Sequence, residues 1–238
     1  MAHQMGADLA LPRVVFVTGT TIRVGKTTAV AALASILRRR GLQVAAVKLI
    51  QPALENGRTS DPTWVRDMAG DVDAEVFYTL PVVMGPAPAA RMLGLELPLV
   101  ASHAKRITAL AESHDVVLVE GSGGLLVRLD GAGGTIADLA MVLRYKGISA
   151  GFIVVATVEP GMLNLAALTA EALEQRGLPL LGVILAHWPD APSMLEEANR
   201  ADVPEAAGGQ LLGVLPVGIG ELSPADFAEA ARRALMGV

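Results

Sequence analysis

Short, almost wholly apolar runs recur along the chain, each ending in a glycine, a polar residue or a proline. Val14-Val15-Phe16-Val17, Val44-Ala45-Ala46-Val47 and Val116-Val117-Leu118-Val119 are too uniformly apolar for half-exposed strands. They and their like predict strands over Arg13–Val17, Gln43–Lys48, Asp115–Glu120, Gly151–Thr157, Leu180–Leu185 and Gln210–Val214, buried on both faces. Helical patterns between them predict helices over Lys26–Arg40, Leu99–Ser113, Ile136–Tyr145, Leu163–Arg176 and Pro224–Met236. Ser223 before Pro224 suits a helix start, and Gly177 after Arg176 suits a stop. This alternation is the mark of parallel β–α–β units, hence of an α/β fold with a three-layer, doubly wound, mainly parallel sheet. No repeat, linker or break in composition divides the chain, so residues 12–238 are expected to form one domain behind a loose N-terminal leader, residues 1–11.

In such sheets ligands bind beyond the carboxyl ends of the strands. The first of these ends carries Gly19-Thr20-Thr21-Ile22-Arg23-Val24-Gly25-Lys26-Thr27. A strand that turns through glycines into a helix aims several backbone N–H groups and the positive helix end at one point, where a polyphosphate fits. Lys26 would place a point charge on the β- and γ-phosphates, and Thr27 would offer its hydroxyl to magnesium. Five residues rather than the common four separate Gly19 from Gly25. The plainer alternative is a glycine-punctuated turn with a solvated lysine; the strand before and the helix after weigh against it.

The other strand ends add Lys48, Glu120, Thr157 to Glu159, Ala186 to Pro189, and Pro216. Glu120 emerges from a buried strand, and Gly121-Ser122-Gly123-Gly124 lets backbone approach a ligand. An acid at this place is the usual second anchor for magnesium; capping a loop is its structural alternative. Lys48 sets a second cation beside the first, which implies an anion richer in charge than a nucleotide alone, unless it merely reaches to solvent. Asp61, in Arg58-Thr59-Ser60-Asp61-Pro62, reads first as a helix N-cap, with magnesium binding as the other possibility.

Composition narrows the chemistry. The net charge of −5 favours neither nucleic acid nor a membrane surface as partner, and the basic cluster Arg38-Arg39-Arg40 complements a helix end before Gly41. With no cysteine there is no thiolate site, so a metal must be held by oxygen. No run reaches the ~20 apolar residues of a membrane span, and a cytoplasmic protein is expected. His103, His114 and His187 lack ligand spacing, and Asp130-Gly131-Ala132-Gly133-Gly134 reads as a structural turn.

Together, the lengthened loop, Lys48, Asp61 after Arg58-Thr59-Ser60, Glu120-Gly121-Ser122-Gly123-Gly124-Leu125, and Leu163-Asn164 with Leu168-Thr169 resemble the dethiobiotin synthetases, from about Val14 to Val217. The resemblance implies a phosphate-binding-loop NTPase fold with about seven strands and a homodimer. It also implies ATP, or another nucleoside triphosphate, and Mg2+. The implied reaction carboxylates 7,8-diaminopelargonic acid with CO2 or bicarbonate, phosphorylates the carbamate and closes a ureido ring. Lys26 and Lys48 would be catalytic, and Thr27, Asp61 and Glu120 would hold the metal. Arg23, Val24, Gly25, Lys26, Thr27, Thr28, Asp61, Glu120, Gly121, Ser122, Gly123, Ala186, His187, Trp188, Pro189, Pro216, Val217 and Gly218 would line the nucleotide. Lys48, Pro52, Gly161 and Asn164 would meet the diamine, the Gly161–Asn164 segment across a dimer interface. The chain departs from the family at Ile22, where a threonine is usual, and at Pro52-Ala53, Leu49, Leu165 and Ala186-His187. Two alternatives therefore stay open: a nucleotide-binding relative without diamine turnover, and a partition- or assembly-type ATPase.

Overall fold

The computed structural model describes residues 11–54, 59–70 and 72–235. Seven strands form its sheet: β1 (Val14–Gly19), β2 (Val44–Gln51), β3 (Asp73–Thr79), β4 (Val116–Gly124), β5 (Ala150–Ala156), β6 (Leu180–Trp188) and β7 (Leu211–Pro216). Between and after them run α1 (Lys26–Arg39), α2 (Asp61–Ala69), α3 (Pro86–Leu93), α4 (Ala104–Ser113), α5 (Ile136–Tyr145), α6 (Met162–Glu174), α7 (Met194–Ala207) and α8 (Pro224–Ala234). The strands pair in the order β3-β2-β4-β1-β5-β6-β7, and every pairing is parallel. Strand order thus reverses at β1, which lies between β4 and β5, and a crevice opens there at the carboxyl ends.

Alternate side chains of the buried strands feed two cores. On one face Val15, Val17, Ala46 and Leu118 pack against α1, α2 and α8 through Leu33, Val65 and Phe227. On the other, Phe16, Val119 and Val154 meet α4 to α7 through Ile107, Leu139, Ala166 and Val203. The rings of Phe16 and Phe152 stack at 5.0 Å across β1 and β5, and Trp64 meets Phe227 edge-on to tie α2 to α8. Leu11, placed by the sequence in the leader, packs on the α1 side; the rest of that leader, the Arg58 beside Asp61 and Met236 lie outside the described residues.

Some elements differ from those predicted. β3 is a sheet edge whose residues are mostly half-exposed, so it lacks the apolar run that marks its neighbours. Prolines sit in the first turns of α2 and α3 and inside α7 at Pro204, which masks their helical pattern. The predicted helix over Leu99–Ser113 opens as a 3-10 turn, Val100–His103, before α4. β2, β4 and β6 run past their predicted ends, to Gln51, Gly124 and Trp188, because neighbouring ladders continue to pair them.

The turn at Asp130 is a buried knot. Its carboxylate accepts N–H groups from Val100 (2.7 Å), Ala132 (2.9 Å) and Gly134 (2.8 Å), fixing the connection from β4 to α5. Asp130→Ala strips three donors of their acceptor and should lower stability by about 2–3 kcal/mol, read as a shift in the urea midpoint at unchanged slope.

Candidate active site

The loop from β1 to α1 needs its glycines. A Cβ on Gly19 would stand 2.6 Å from Val24 Cγ2 and 3.0 Å from Lys26 Nζ, so only a bare backbone lets the loop fold this closely over the lysine. Gly25 takes φ 87° at the start of α1, and a Cβ there would lie 2.8 Å from Ala186 Cβ. Lys26 Nζ donates to the Thr21 carbonyl at 3.0 Å, across the loop's interior. Burial pushes the Lys26 pKa down to about 8; Glu120 opposes the shift, the Lys48 ammonium adds to it and Asp61 opposes it. Thr28 follows half-buried on α1.

Lys48 and Glu120 are direct partners in the β2–β4 ladder, so both side chains leave the same face of the sheet, toward α1 and α2. The Lys48 ammonium donates to Glu120 Oε1 and lies 2.7 Å from Asp61 Oδ2; Thr27 Oγ1 donates to the same Glu120 oxygen at 3.0 Å. Lys48 and Glu120 are almost wholly buried, at 7% and 3% exposure. Burial alone would lower the Lys48 pKa, but the Glu120 and Asp61 carboxylates outweigh it and hold the ammonium above its ordinary range.

Asp61 is not the helix cap. Ser60 occupies that position, and Asp61 opens α2 itself, with its carboxylate free to reach Lys48. Gln51, which sequence reasoning passed over, holds it there: Gln51 Oε1 accepts the Asp61 backbone N–H at 3.1 Å, and Gln51 Nε2 donates to the Pro52 carbonyl at 3.3 Å. A polar residue at the end of an apolar run was the available signal. Beside it, Ser122 donates to the Ile50 carbonyl at 2.8 Å and pins the β4 exit onto β2.

Asp61 and Glu120 both contact the Lys48 ammonium and Thr27 joins them through Glu120 Oε1, so three hard oxygen donors are linked in one cluster. No group of three or more His, Asp or Glu gathers among the described residues, so an all-protein cage is absent there. Two carboxylates and a hydroxyl do suit Mg2+, which keeps waters and takes phosphate oxygens for the rest of its shell.

At the opposite edge of the loop lie the ends of β6 and β7. His187, at φ 57°, donates from Nε2 to the carbonyl of Arg23, at φ 56°, over 3.2 Å. These are the two non-glycine residues in the left-handed region among the described residues. Trp188 pairs with Pro216, and the Val217 N–H reaches the Trp188 carbonyl at 2.8 Å; half-buried Pro189 and exposed Gly218 complete this rim. Gly121 and Gly123 lie where the β1–β4 register shifts, Gly121 against Ile136 and Gly123 beside Ile22. Gly161 and Asn164 stand exposed at the start of α6, apart from the lysine–carboxylate cluster on β2 and β4. The buried Asn199 of α7, also missed, donates to the Val158 carbonyl at 3.0 Å and steadies the turn before Gly161.

The comparisons with known proteins accord with this geometry. A family model described as an AAA domain matches residues 13–221. The ATP-dependent dethiobiotin synthetase BioD of Frankia casuarinae is 43% identical over 219 residues, 92% of this chain and 90% of that protein. Its counterpart in Saccharopolyspora erythraea is 43% identical over 93% of this chain and 95% of that protein, and the one in Streptomyces coelicolor 40% identical over 92% and 90%. Among solved structures, a ParA family ATPase from Chlorobium tepidum is similar with TM-score 0.56 and 14% identity, covering 95% of this chain and 94% of that one. The septum site-determining protein MinD of Pyrococcus horikoshii, complexed with Mg-ADP, is similar with TM-score 0.57 and 17% identity over the same shares. Those two likenesses concern the fold. Sequence identity along nearly the whole chain, with the loop, lysines and acids brought into one cleft, places the chain in the family of ATP-dependent dethiobiotin synthetases.

Proposed function

We propose that this cleft carboxylates 7,8-diaminopelargonic acid with CO2, transfers the γ-phosphoryl group of ATP to the resulting carbamate and closes the ureido ring with loss of phosphate. The observation that carries this mechanism is the convergence of Lys26 and Lys48 with Glu120 and Asp61 at the carboxyl ends of β1, β2 and β4. A carbamate oxygen must attack the γ-phosphorus, so two anions have to approach each other. Lys26 bears on the γ-phosphate and Lys48 on the carbamate, offsetting a repulsion that would otherwise hold them apart. The free amine then attacks the mixed-anhydride carbonyl, a C–N bond forms, and inorganic phosphate leaves with the electron pair of the broken C–O bond.

Thr27, Asp61 and Glu120 would hold Mg2+, which would supply positive charge to neutralise the triphosphate. The backbone from Arg23 to Thr28 and the glycines Gly121 and Gly123, with Ser122, wrap the phosphates. The rim of Ala186 to Pro189 and Pro216 to Gly218 receives the base. Pro52, with Lys48, lies on the diamine side. ATP and Mg2+ are the currency of the cytoplasm, where we place the protein; among the described residues no helix is long and apolar enough to cross a membrane.

A homodimer belongs to the same proposal. Ile22, Leu126, Leu165 and Leu168 are exposed by 68%, 48%, 40% and 54%, and line a cavity of about 410 Å³ that also borders Thr20 and Thr21 of the phosphate loop. A second copy covering this groove would bury that apolar surface and bring Gly161 and Asn164, exposed at the same end of α6, toward the partner's cleft.

Three outcomes follow. Lys26→Ala should lower dethiobiotin formation by about 10²-fold or more, measured with diaminopelargonate, bicarbonate, Mg2+ and ATP; undiminished turnover would place the chemistry elsewhere. Lys48→Ala should reduce diamine turnover far more than nucleotide affinity, as read by steady-state kinetics beside nucleotide titration, and equal losses would refute its carbamate role. Leu168→Glu should convert a dimer to monomers in light scattering, because a buried unpaired carboxylate has no place in an apolar interface.

A further inference from the structure

The Lys48 ammonium sits among the oxygens assigned above to Mg2+. It touches Glu120 Oε1, lies 2.7 Å from Asp61 Oδ2, and shares the Glu120 oxygen with the hydroxyl of Thr27. The space around this cluster is lined by Lys48, Asp61, Glu120, Pro62, Val30 and Val65, and holds only about 10 Å³, no more than one water. An ammonium and a divalent metal cannot both take those two carboxylates at contact distance, because their mutual repulsion in a buried site is large. Charge balance points the same way: Lys26 and Lys48 together neutralise Glu120 and Asp61, so a divalent cation arriving alone would find no excess negative charge.

We propose that Lys48 is a displaceable counter-cation that keeps Glu120 and Asp61 in metal-ligating position and yields their oxygens when Mg2+ arrives with the nucleotide. Its ammonium, tethered to β2, is then free to turn to the anionic acceptor. Loading of the donor side thereby frees the catalytic cation of the acceptor side, and metal binding depends on the phosphates that come with it. Lys48 can serve in this way only if Thr27, Asp61 and Glu120 ligate the metal, as proposed above.

The test is Mn2+ binding without nucleotide, followed by the electron paramagnetic resonance signal of free Mn2+. Wild-type protein should bind Mn2+ weakly, and Lys48→Met should bind it about tenfold or more tightly, since one positive charge has left the two carboxylates. Lys48→Gln, which retains a hydrogen-bond donor, should behave likewise and serves if the methionine variant fails to fold. The melting temperature of either variant should rise with Mn2+ more than that of wild type. A second arm loads wild type and Glu120→Gln with a non-hydrolysable ATP analogue and Mn2+, where Glu120→Gln should weaken Mn2+ retention. Unchanged or weaker Mn2+ affinity in both Lys48 variants, with the Glu120 effect intact, overturns the counter-cation role alone. Loss of the Glu120 effect as well overturns the metal site itself.

Discussion

Removing a carboxylate or an ammonium from water costs several kcal/mol per ion unless a partner of opposite charge is within contact distance. Glu120 and Lys48 meet that condition through strand register: they are direct partners in the β2–β4 ladder and leave the sheet on one face. A shift of one residue would turn one of them into the opposite core, among Phe16, Leu139 and Val154. The position of Asp61 depends on the same pairing, since α2 is anchored to the end of β2 by Gln51 and to Lys48 by charge. Thr27 then closes the group from α1, so that β2, β4 and α1 meet at one carboxylate oxygen and α2 joins them through the Lys48 ammonium.

Much of this was legible in the chain. Apolar runs marked the central strands, and the residues that follow those runs, Lys48 and Glu120, are the ones that meet. The seven-stranded total came only from the family resemblance, because edge strand β3 is half-exposed and its composition is mixed. α7 did carry a start signal, the reciprocal box of Ser193 and Glu196, but Pro204 within it reads as a helix breaker. Asp61 shows where local pattern misleads: a Ser-Asp-Pro string offers two caps, and tertiary attraction to a buried lysine decides between them. The partners of Gln51 and Asn199 were hidden for a related reason, since each acts on backbone brought near it only by folding, although the polar Gln51 at the end of an apolar run was itself a signal.

The likeness to ParA family and MinD proteins at 14% and 17% identity shows how much of the molecule is shared scaffold. A parallel sheet that presents a phosphate loop at its switch point can serve unrelated ends, and what separates them is the equipment at neighbouring strand ends. Here that equipment is a second buried lysine on β2, aligned with the acid on β4. The departures at Ile22, within the loop, and at Leu165, on α6, fall instead on the exposed groove that the loop's outer face shares with α6.

The hydrogen bond from His187 to the Arg23 carbonyl joins the rim of β6 to the phosphate loop at the two non-glycine positions, among the described residues, that take left-handed backbone. With Gly25 pressed against Ala186, it makes a fixed-gap caliper of the cleft between the loop and the β6 rim. Its jaws are joined by a hydrogen bond and by packing without a ligand, and a gap already set lowers the ordering cost of whatever binds there. On the proposed seating of the nucleotide, such a gauge would measure the span from triphosphate to ring more sharply than it would read the edge of the ring.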